Sequence, residues 1–420
     1  MTCSTAIVAG SGVVGLTCAH RLIRAGIATT VIGPTAAEAS ASWGNAGHLA
    51  VEQAEPLASR KSIRKAVGQV FDAGGAIRTP LPELKHWLPF FLRLARASGS
   101  SRFRTGTAAL TSCMQRAAPA WRALLAEMGE SQLLVEWGHF VVWESPRSAT
   151  AGKARWSSAE TGPASFSDAS GEDLERLASL VKQRIFGAIR FEGTGQFTDP
   201  GVLLQKLEDS ILAAGASRVA ELVTRIGREH GSGTVFLETT DGAKYEADAI
   251  VIAAGIGSSN LLASADLFTP MIAERGYHIQ APTDAWPERM PPVVFEDRSL
   301  IVTNFTSGLR ASSFVEFVRH ERPPNELLWR ALEAQVADLG LPFRQPVTRW
   351  MGSRPTLPDY LPAIGKSRNL SNLYYAFGHQ HLGLTLAAVT ADLVADLVVG
   401  HRPAIDLRPF DLDRFGRQAI

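Results

Sequence analysis

The sequence predicts a mixed α/β and α+β fold, in which a nucleotide-binding domain is interwoven with a smaller domain built on a mainly antiparallel sheet. Three features lead to this prediction: a glycine-rich βαβ unit at the N-terminus, a fully apolar strand over Ala249 to Ala253, and a β-rich block after it. A chain of 420 residues is also longer than one hydrophobic core usually serves, so two domains are expected.

The N-terminal unit begins with an apolar strand, Ala6 to Ala9, which breaks into Gly10-Ser11-Gly12-Val13-Val14-Gly15. A helix and a second strand, Ala28 to Ile32, complete a βαβ unit of about 30 residues, the length of a Rossmann-like half-site. Gly10 allows the tight turn, Gly12 lets the backbone approach a pyrophosphate, and Gly15 lets helix and strand pack closely. The pattern therefore predicts a dinucleotide site rather than an ordinary α/β turn.

The next part of the chain alternates between helical and extended patterns. A loop of small residues, Pro34 to Gly47, is followed by a mostly helical stretch over 59–130. We then expect a strand over His139 to Trp143, a surface loop over Ser157 to Ser170 and a helix over Glu172 to Gln183.

The second half returns to the nucleotide-binding pattern. Asp199 and Pro200 begin a helix that runs to about Ala213. The continuous apolar strand Ala249 to Ala253 is typical of a strand buried on both faces in a parallel sheet, and its glycine-rich end indicates a second approach to the same cofactor. Shorter strands are predicted over Val219 to Val223, Thr234 to Thr239 and Lys244 to Ala247, with a hairpin turn at Asp241-Gly242.

The C-terminal part combines a β-rich block with a final helix. Strands are predicted over Tyr277 to Gln280, Val293 to Asn304, Leu309 to Val318 and Leu373 to Phe377. Helices are predicted over Asn325 to Leu339 and Leu384 to Val399.

Composition excludes several classes of protein. A formal net charge of +1 gives no electrostatic basis for a nucleic-acid partner. Three cysteines form neither a disulfide framework nor, with the histidines, a ligand spacing, so no metal is expected. The lack of a disulfide framework predicts a reduced, cytoplasmic compartment. Because the first strand starts by Thr5 and no apolar run approaches about 18 residues, neither a signal segment nor a transmembrane helix is expected.

One amphipathic segment, Leu84 to Arg96, has two interpretations. It has Trp and Phe on one side and basic residues on the other, as in helices that lie on a membrane surface. A helix that packs on its own core shows the same pattern, and we favour this interpretation. Peripheral contact with the inner face of the membrane is the alternative.

Seven stretches along the chain carry a family resemblance: Gly10 to Gly15, Ser42-Trp43-Gly44-Asn45-Ala46-Gly47, Asp199-Pro200-Gly201, Ile252-Ala253-Ala254-Gly255, Glu274-Arg275-Gly276-Tyr277, Arg354-Pro355 with Pro358-Asp359, and Gly378-His379 with Leu382-Gly383-Leu384-Thr385. Taken together, they resemble the FAD-dependent D-amino-acid oxidase superfamily, and most closely its bacterial D-amino-acid dehydrogenase branch of the D-hydroxyproline dehydrogenase-like kind. The resemblance implies FAD, held without a covalent bond because the histidines do not match the attachment motif of dimethylglycine-type relatives.

The order of these stretches also predicts a discontinuous domain division. Residues 1–85, 195–265 and 350–420 are expected to form the FAD-binding domain, and residues 86–194 and 266–349 the substrate-binding domain.

The same resemblance implies the site residues. Arg354 corresponds to the arginine that binds the substrate carboxylate, a role that suits the planar guanidinium fork. Tyr277 is expected to border the pocket and to supply a second donor, with His48 and His278 nearby. The helix that starts at Gly383 is expected to face the flavin pyrimidine edge, where its N–H groups and dipole stabilise negative charge. The predicted cofactor-binding residues are Gly10, Gly12, Val13, Val14, Gly15, Ser42, Asn45, Ala46, Gly47, Val223, Ala254, Gly255, Gly378, His379, Gly383, Leu384 and Thr385.

The chain departs from the family at the end of its second strand. Relatives carry Asp or Glu there to bind the adenosine ribose hydroxyls, whereas this chain has Gly33. A lost charge-assisted hydrogen bond of about 1.5–3 kcal/mol predicts weaker retention of FAD. Thr35 and Glu38 are the candidates for compensation.

The implied reaction is oxidation of a D-amino acid or cyclic imino acid, such as D-proline or cis-4-hydroxy-D-proline, by hydride transfer from Cα to flavin N5. The electron acceptor could be a quinone, a dye or oxygen. A sarcosine- or glycine-oxidase-like enzyme that uses oxygen shares the same motifs, and a flavoprotein subunit with structural FAD is a third alternative. The oligomeric state is left open.

Overall fold

The computed structural model describes residues 3–35, 39–60, 63, 76–229 and 233–416. The helices in these ranges are α1 (Val13–Arg24), α2 (Leu84–Ala97), α3 (Ser100–Met128), α4 (Pro146–Ser157), α5 (Gly171–Leu180), α6 (Pro200–Ala213), α7 (Ser258–Ala263), α8 (Glu326–Leu339) and α9 (Gly383–Val399). The strands are β1 (Thr5–Ala9), β2 (Ala28–Ile32), β3 (His48–Leu49), β4 (Ile77–Arg78), β5 (Leu134–Val135), β6 (His139–Trp143), β7 (Ser165–Asp168), β8 (Gly187–Glu192), β9 (Gly195–Phe197), β10 (Ser217–Val219), β11 (Val223–Arg228), β12 (Val235–Thr239), β13 (Lys244–Tyr245), β14 (Ala249–Ile252), β15 (Ile272–Ala281), β16 (Val293–Phe295), β17 (Leu300–Phe305), β18 (Gly308–Phe317), β19 (Thr348–Thr356), β20 (Ala363–Lys366) and β21 (Leu373–Phe377).

A six-stranded sheet in the order β10-β2-β1-β14-β21-β20 forms the nucleotide-binding part of the fold. Its first five strands run parallel, and β20 pairs antiparallel with β21 at the edge. The N-terminal strand β1 lies between β2 and the mid-chain strand β14. Such neighbours can be far apart in the sequence because parallel strands are joined by long crossover connections. All four residues of β14 are buried, as its apolar run predicts.

A nine-stranded sheet carries the second part of the fold, in the order β19-β15-β18-β17-β16-β6-β8-β7, with β4 added beside β18. The sheet is antiparallel except for the pairs β16 with β6 and β18 with β4. Helix α8 packs against it through buried residues that include Leu328, Leu332 and Val336. The mixed fold predicted from the sequence, with a parallel sheet and a mainly antiparallel one, is confirmed.

Two strands of the nine-stranded sheet lie wholly or partly outside the ranges predicted for the substrate-binding domain. Strand β19 crosses the boundary placed between 349 and 350, and β4 lies inside the segment 1–85, yet both strands belong to the nine-stranded sheet. The domain division otherwise stays a prediction.

Several local predictions differ from the structure. Helix α4 was not predicted, and β7 lies within the predicted surface loop over Ser157 to Ser170. The predicted strand over Val219 to Val223 falls mostly between β10 and β11. The predicted strand over Val293 to Asn304 is divided into β16 and β17 by one turn of 3₁₀-helix.

The segment that contains helix α9 shows that the expectation of no apolar run near 18 residues was wrong. Together with the turn before it, the segment Gln380–Val399 is long and apolar enough to cross a membrane, and it is the single such segment within the described residues. In the fold, 67% of its most apolar window is buried. The helix packs against α1 and α3, as a core helix does.

Candidate active site

The glycine turn after β1 has no room for larger residues. Gly10 has φ +126°, and a Cβ at this position would lie closer than 3.0 Å to the carbonyl oxygen of Ala253. A Cβ on Gly15 would lie equally close to the carbonyl oxygen of Gly10. These contacts explain the first and third glycines of the motif by backbone packing.

The N-terminus of α1 opens onto a cavity. Its N-cap residue is Gly12, which has no side chain to cap the helix, and Val13 and Val14 line the cavity beside it. The Val13 amide donates to Ser42 Oγ over 3.1 Å. Free backbone N–H groups and the positive end of the helix dipole make such a terminus a binding site for a phosphate group.

This cavity has a volume of about 990 Å³ and extends from the glycine turn to Arg354. Most of the predicted site residues line it: Gly10, Gly12, Val13, Val14, Ser42, Asn45, Ala46, His48, Val223, Ala254, Gly255, Tyr277, Arg354, Gly378, His379, Gly383 and Leu384. The fold therefore brings together residues from the beginning, middle and end of the chain.

Gly15, Gly47, His278 and Thr385 were also predicted to belong to the site, but they do not line the cavity. Gly47 has φ +71°, and a Cβ there would lie closer than 3.0 Å to the ring of Phe305. The Thr385 hydroxyl accepts from the Ala50 amide over 3.0 Å. These residues hold segments of the wall in place.

The loop over Ser42 to Gly47 is fixed by Arg310, which the sequence did not indicate, and by His278, which was expected beside the substrate. Arg310 is 2% exposed, and its Nη1 donates to the carbonyl oxygens of Trp43 and Asn45 over 3.1 and 2.6 Å. Burial lowers the pKa of Arg310 to about 10. His278 donates from Nδ1 to the Gly44 carbonyl oxygen over 3.1 Å and stacks on Trp350. Its role is thus to support the loop.

Arg354 lies across a glycine on the neighbouring strand. Strands β15 and β19 pair antiparallel, with Glu274 opposite Arg354 and Gly276 opposite Gly352. A Cβ on Gly276 would lie closer than 3.0 Å to three atoms of the Arg354 guanidinium. The absence of a side chain at Gly276 therefore makes room for the guanidinium on the cavity wall.

Glu274 supplies a buried acid beside Arg354. The residue is 4% exposed, and its Oε2 accepts from the Thr356 hydroxyl over 2.9 Å. Burial raises the pKa of Glu274, while the Arg354 cation opposes that shift. Thr356 also ends β19 and forms an isolated antiparallel bridge with His379. Strand β19 is thereby connected to the segment that precedes α9.

The Tyr277 hydroxyl is already engaged. It donates to Glu316 Oε2 over 2.6 Å and accepts from the Asn325 amide over 3.1 Å. Burial and the hydrogen bond to Glu316 raise its pKa. Tyr277 lines the cavity, but the hydroxyl could donate to a substrate only by breaking its bond to Glu316.

Two histidines precede the N-terminus of α9, whose N-cap residue, Leu382, has no polar side chain. His379 Nε2 lies 3.0 Å from the Thr390 hydroxyl, and His381 Nε2 lies beside Gln53 Oε1. Burial lowers the pKa of both histidines to about 3, and the Arg354 cation adds to the shift at His381. Both rings are therefore neutral at pH 7, so the positive potential here comes from the helix terminus and the Arg354 cation.

Gly33 lines the cavity, but its surroundings are crowded. A Cβ there would lie closer than 3.0 Å to Ser11 Oγ and 3.1 Å from the Ser11 amide nitrogen. Arg218 Nη1 donates to the Gly33 carbonyl oxygen over 2.8 Å. Thr35 is exposed, and Glu38 lies outside the described residues.

We expect the double variant Ser11→Gly/Gly33→Asp to bind FAD about tenfold more tightly, because it adds a ribose-binding carboxylate and removes the Ser11 side chain that crowds it. Gly33→Asp alone should gain less, since Ser11 Oγ must then move. FAD titration of the apoprotein measures both, with Ser11→Gly as the control. A double variant that binds no more tightly than Ser11→Gly would contradict the prediction.

Spacing along the sequence indicated no metal site, yet the fold assembles three suitable side chains. Possible ligand atoms of His48, Glu52 and His139 all lie within 4.8 Å of one another, and the three residues are buried. His139 is distant from the other two in sequence, which is why spacing could not reveal the cluster.

A glycine turn that suits a dinucleotide and an arginine that suits a carboxylate lie in one cavity, a combination expected of an oxidoreductase with a dinucleotide cofactor and a small acid as substrate. The DAO family model, described as FAD dependent oxidoreductase, matches residues 5–397. The chain belongs to this family of FAD-dependent oxidoreductases. The resemblance to the FAD-dependent D-amino-acid oxidase superfamily is confirmed, and so is FAD as the implied cofactor. The finer likeness to D-hydroxyproline dehydrogenases and the non-covalent attachment of FAD stay predictions.

Named relatives agree with this assignment. The chain is 31% identical over 420 residues to a D-amino-acid oxidase of Bradyrhizobium diazoefficiens, with 97% of each chain covered. It is 28% identical over 427 residues to a D-amino acid dehydrogenase of Rhodopseudomonas palustris, again with 97% of each chain covered. The crystal structure of glycine oxidase from Geobacillus kaustophilus shares the fold, with a TM-score of 0.70, 20% identity and 98% of both chains covered.

The residues present fit FAD. The turn at Gly10 and Gly12 and the start of α1, whose N-cap residue has no side chain, suit a pyrophosphate. The start of α9 suits the ring end of a flavin. The cavity is large enough for the cofactor and a small substrate.

Proposed function

We propose that this protein oxidises a D-amino acid or a cyclic imino acid, such as D-proline or cis-4-hydroxy-D-proline, at its Cα–N bond and passes the electrons to a quinone-type acceptor. One observation carries the proposal: the Arg354 guanidinium lies over Gly276, in the cavity that begins at the dinucleotide turn. A guanidinium fork in this place suits a substrate carboxylate, which it grips through two parallel hydrogen bonds.

The chemistry divides between cofactor and chain. FAD, held without a covalent bond, supplies the two-electron acceptor. Arg354 binds the carboxylate and orients Cα, and the N-terminus of α9 favours negative charge in the cavity. His379 and His381 are neutral at pH 7, so they add no positive charge to that of Arg354 and the helix terminus.

The scarcity of acidic side chains in the described cavity wall supports a substrate that reacts with its amino group uncharged. Among the described residues that line the cavity, Glu274 is the single acid, and it lies beside Arg354 with a raised pKa. The described part of the cavity wall therefore offers no separate carboxylate for a substrate ammonium group. A cyclic secondary amine fits such a site as well as a primary amine.

Anaerobic mixing of the holoenzyme with single substrates tests the proposal. We expect D-amino acids to bleach the flavin absorbance. D-proline and cis-4-hydroxy-D-proline are compared with their L-enantiomers and with the achiral sarcosine and glycine. Recovery of the colour with a quinone or dye but not in air would support a dehydrogenase. Bleaching by sarcosine or glycine alone would contradict the assigned substrate class.

The second candidate is a sarcosine- or glycine-oxidase-like enzyme that uses oxygen. It is favoured by the name of the Bradyrhizobium relative, an oxidase, and by the fold shared with glycine oxidase. Rapid recovery of colour in air would support this candidate. A flavin that no amino acid bleaches would instead indicate a structural FAD, a role that gives no purpose to Arg354.

We also propose that the protein is cytoplasmic and contacts the inner face of the membrane through α2. Phe90 and Leu94 on this helix are buried, whereas Leu84, Leu88 and Leu92 form an exposed stripe at intervals of four residues. Basic residues that include the exposed Lys85 and Arg96 accompany the stripe. An apolar stripe beside basic side chains suits the surface of an anionic bilayer.

Replacing Leu84, Leu88 and Leu92 together by glutamine should weaken binding to vesicles that contain anionic lipid by about tenfold or more, because the apolar face is removed. Vesicle sedimentation of the holoenzyme measures the effect. The matched control is Leu327→Gln, which changes an exposed leucine on a different helix, α8. Equal sedimentation of the wild type and the triple variant would contradict membrane contact and leave core packing as the role of α2.

A further inference from the structure

Three buried side chains from separate parts of the chain converge beside the cavity. His48 lies in β3, Glu52 lies in the turn that follows, and His139 is the first residue of β6. His48, Glu52 and His139 are 8%, 2% and 1% exposed. The fold thus places two imidazoles and a carboxyl group in the protein interior. Burial of such groups costs free energy unless they are hydrogen bonded, paired or bound to a metal.

Two polar atoms of this cluster lack hydrogen-bond partners. His48 Nε2 and Glu52 Oε2 face each other at 3.7 Å, beyond hydrogen-bond distance, and neither is hydrogen bonded to any described residue. Buried polar atoms without partners are uncommon in folded proteins, and a bound ion is one of the standard explanations for them. Both atoms point into the cluster rather than towards other described groups.

His139 is held in an orientation that suits a ligand. Its Nδ1 lies 2.9 Å from the Thr194 hydroxyl, and its ring stacks on Phe191 with an interplanar angle of 3°. A metal-binding histidine commonly engages its second ring nitrogen in such a hydrogen bond, which fixes the tautomer and the plane of the ring. Nε2 is therefore the nitrogen of His139 that remains for an ion.

We propose that His48, Glu52 and His139 bind one divalent transition-metal ion, Zn²⁺ by preference. Two imidazole nitrogens and one carboxylate oxygen form a ligand set that Zn²⁺ favours, and three protein ligands leave one position open. Ligands about 2.0–2.2 Å from one tetrahedral ion lie about 3.3–3.6 Å apart. The 3.7 Å between His48 Nε2 and Glu52 Oε2 is close to this spacing, and the limit of 4.8 Å for the whole cluster requires side-chain shifts of up to about an ångström.

The ion would have a defined place in the fold. His48 lines the cavity, so the open position and the path of entry lie on that side. Strand β3 belongs to the three-stranded sheet β3-β9-β5, whereas β6 belongs to the nine-stranded sheet. The ion would therefore cross-link two sheets, and its binding should raise the thermal stability of the protein.

The test uses the FAD-loaded protein after treatment with a chelator and dialysis. Isothermal titration with ZnCl₂ should show about one tight site per chain, Tm should rise with added Zn²⁺, and Co²⁺ should give the visible absorption of a site with nitrogen and oxygen ligands. Glu52→Gln and His139→Asn should each weaken Zn²⁺ binding by about 100-fold or more, and Thr194→Val by about 10–100-fold. His401→Asn, which changes an exposed histidine, is the matched control and should bind like the wild type.

Two results would overturn the proposal: the absence of a tight one-equivalent site in the wild-type titration, or wild-type affinity in both Glu52→Gln and His139→Asn. Bound FAD and circular dichroism show whether each variant is folded. If the variants do not fold, the wild-type titration and the Co²⁺ spectrum decide alone. Neither measurement depends on catalytic activity, so the metal site and the proposed function can fail separately.

Discussion

Replacing Arg354 by alanine is expected to lower kcat/KM for the best D-amino acid by about 10³-fold, or roughly 4 kcal/mol. KM should rise because the carboxylate loses its partner, and kcat should fall because a substrate held by fewer contacts presents Cα less accurately. Steady-state kinetics with an artificial electron acceptor measure both constants. A simple carboxylate such as acetate should also lose its ability to compete with substrate.

Arg354→Lys separates charge from geometry. Lysine keeps the positive charge but cannot form two parallel hydrogen bonds, so its activity should lie between that of the wild type and that of Arg354→Ala. The FAD content of both variants should be unchanged, because the dinucleotide turn lies in another part of the cavity. Near-native KM in Arg354→Ala would show that another group binds the carboxylate.

Gly276→Ala is expected to lower kcat/KM by about 10²-fold although it adds only one methyl group. The new Cβ would occupy the space of the Arg354 guanidinium, which is the flexible end of a side chain and can move. The fold should therefore survive, while the carboxylate-binding group is displaced by about 1 Å, an error that costs activity on this scale.

A double-mutant cycle tests this explanation. If Gly276→Ala acts through Arg354, it should cause little further loss in an Arg354→Ala background. Gly171→Ala is the control, because a Cβ there has no heavy atom within 4 Å among the described residues. Full additivity of Gly276→Ala and Arg354→Ala would contradict the explanation.

Local pattern predicts those parts of the fold where one physical signal dominates. The apolar run of β14 and the Asp199 cap of α6 are such signals, and both elements lie where they were expected. Helix α4 was missed because its sequence is mostly small and polar, with Ala149 and Gly152 as its buried positions, so it shows no apolar stripe. Its Ser145 cap was a usable signal, since the Ser145 hydroxyl accepts from the Ser148 amide.

Prediction of the candidate site was limited in a different way. Residues next to glycine motifs could be identified, because the backbone there must approach a ligand closely. Arg310, Trp350 and the cluster around His139 could not, because their positions depend on strand register and on contacts between distant segments. Glu274 stands in a motif quoted from the sequence, but only the register of β15 with β19 shows that it lies opposite Arg354.

The bridge between Thr356 and His379 fixes the separation between two parts of the cavity. It ties the end of β19, which carries Arg354, to the segment that leads into α9, so the residue proposed to bind the carboxylate and the helix terminus proposed to face the flavin are held at a fixed separation. An α-amino acid has its reacting carbon directly next to the carboxylate. A β-amino acid bound by Arg354 at its carboxylate carries the amine on Cβ, which is one bond further from the carboxylate than Cα. We therefore expect the enzyme to discriminate between the two by this separation in the scaffold rather than by a contact with the amine.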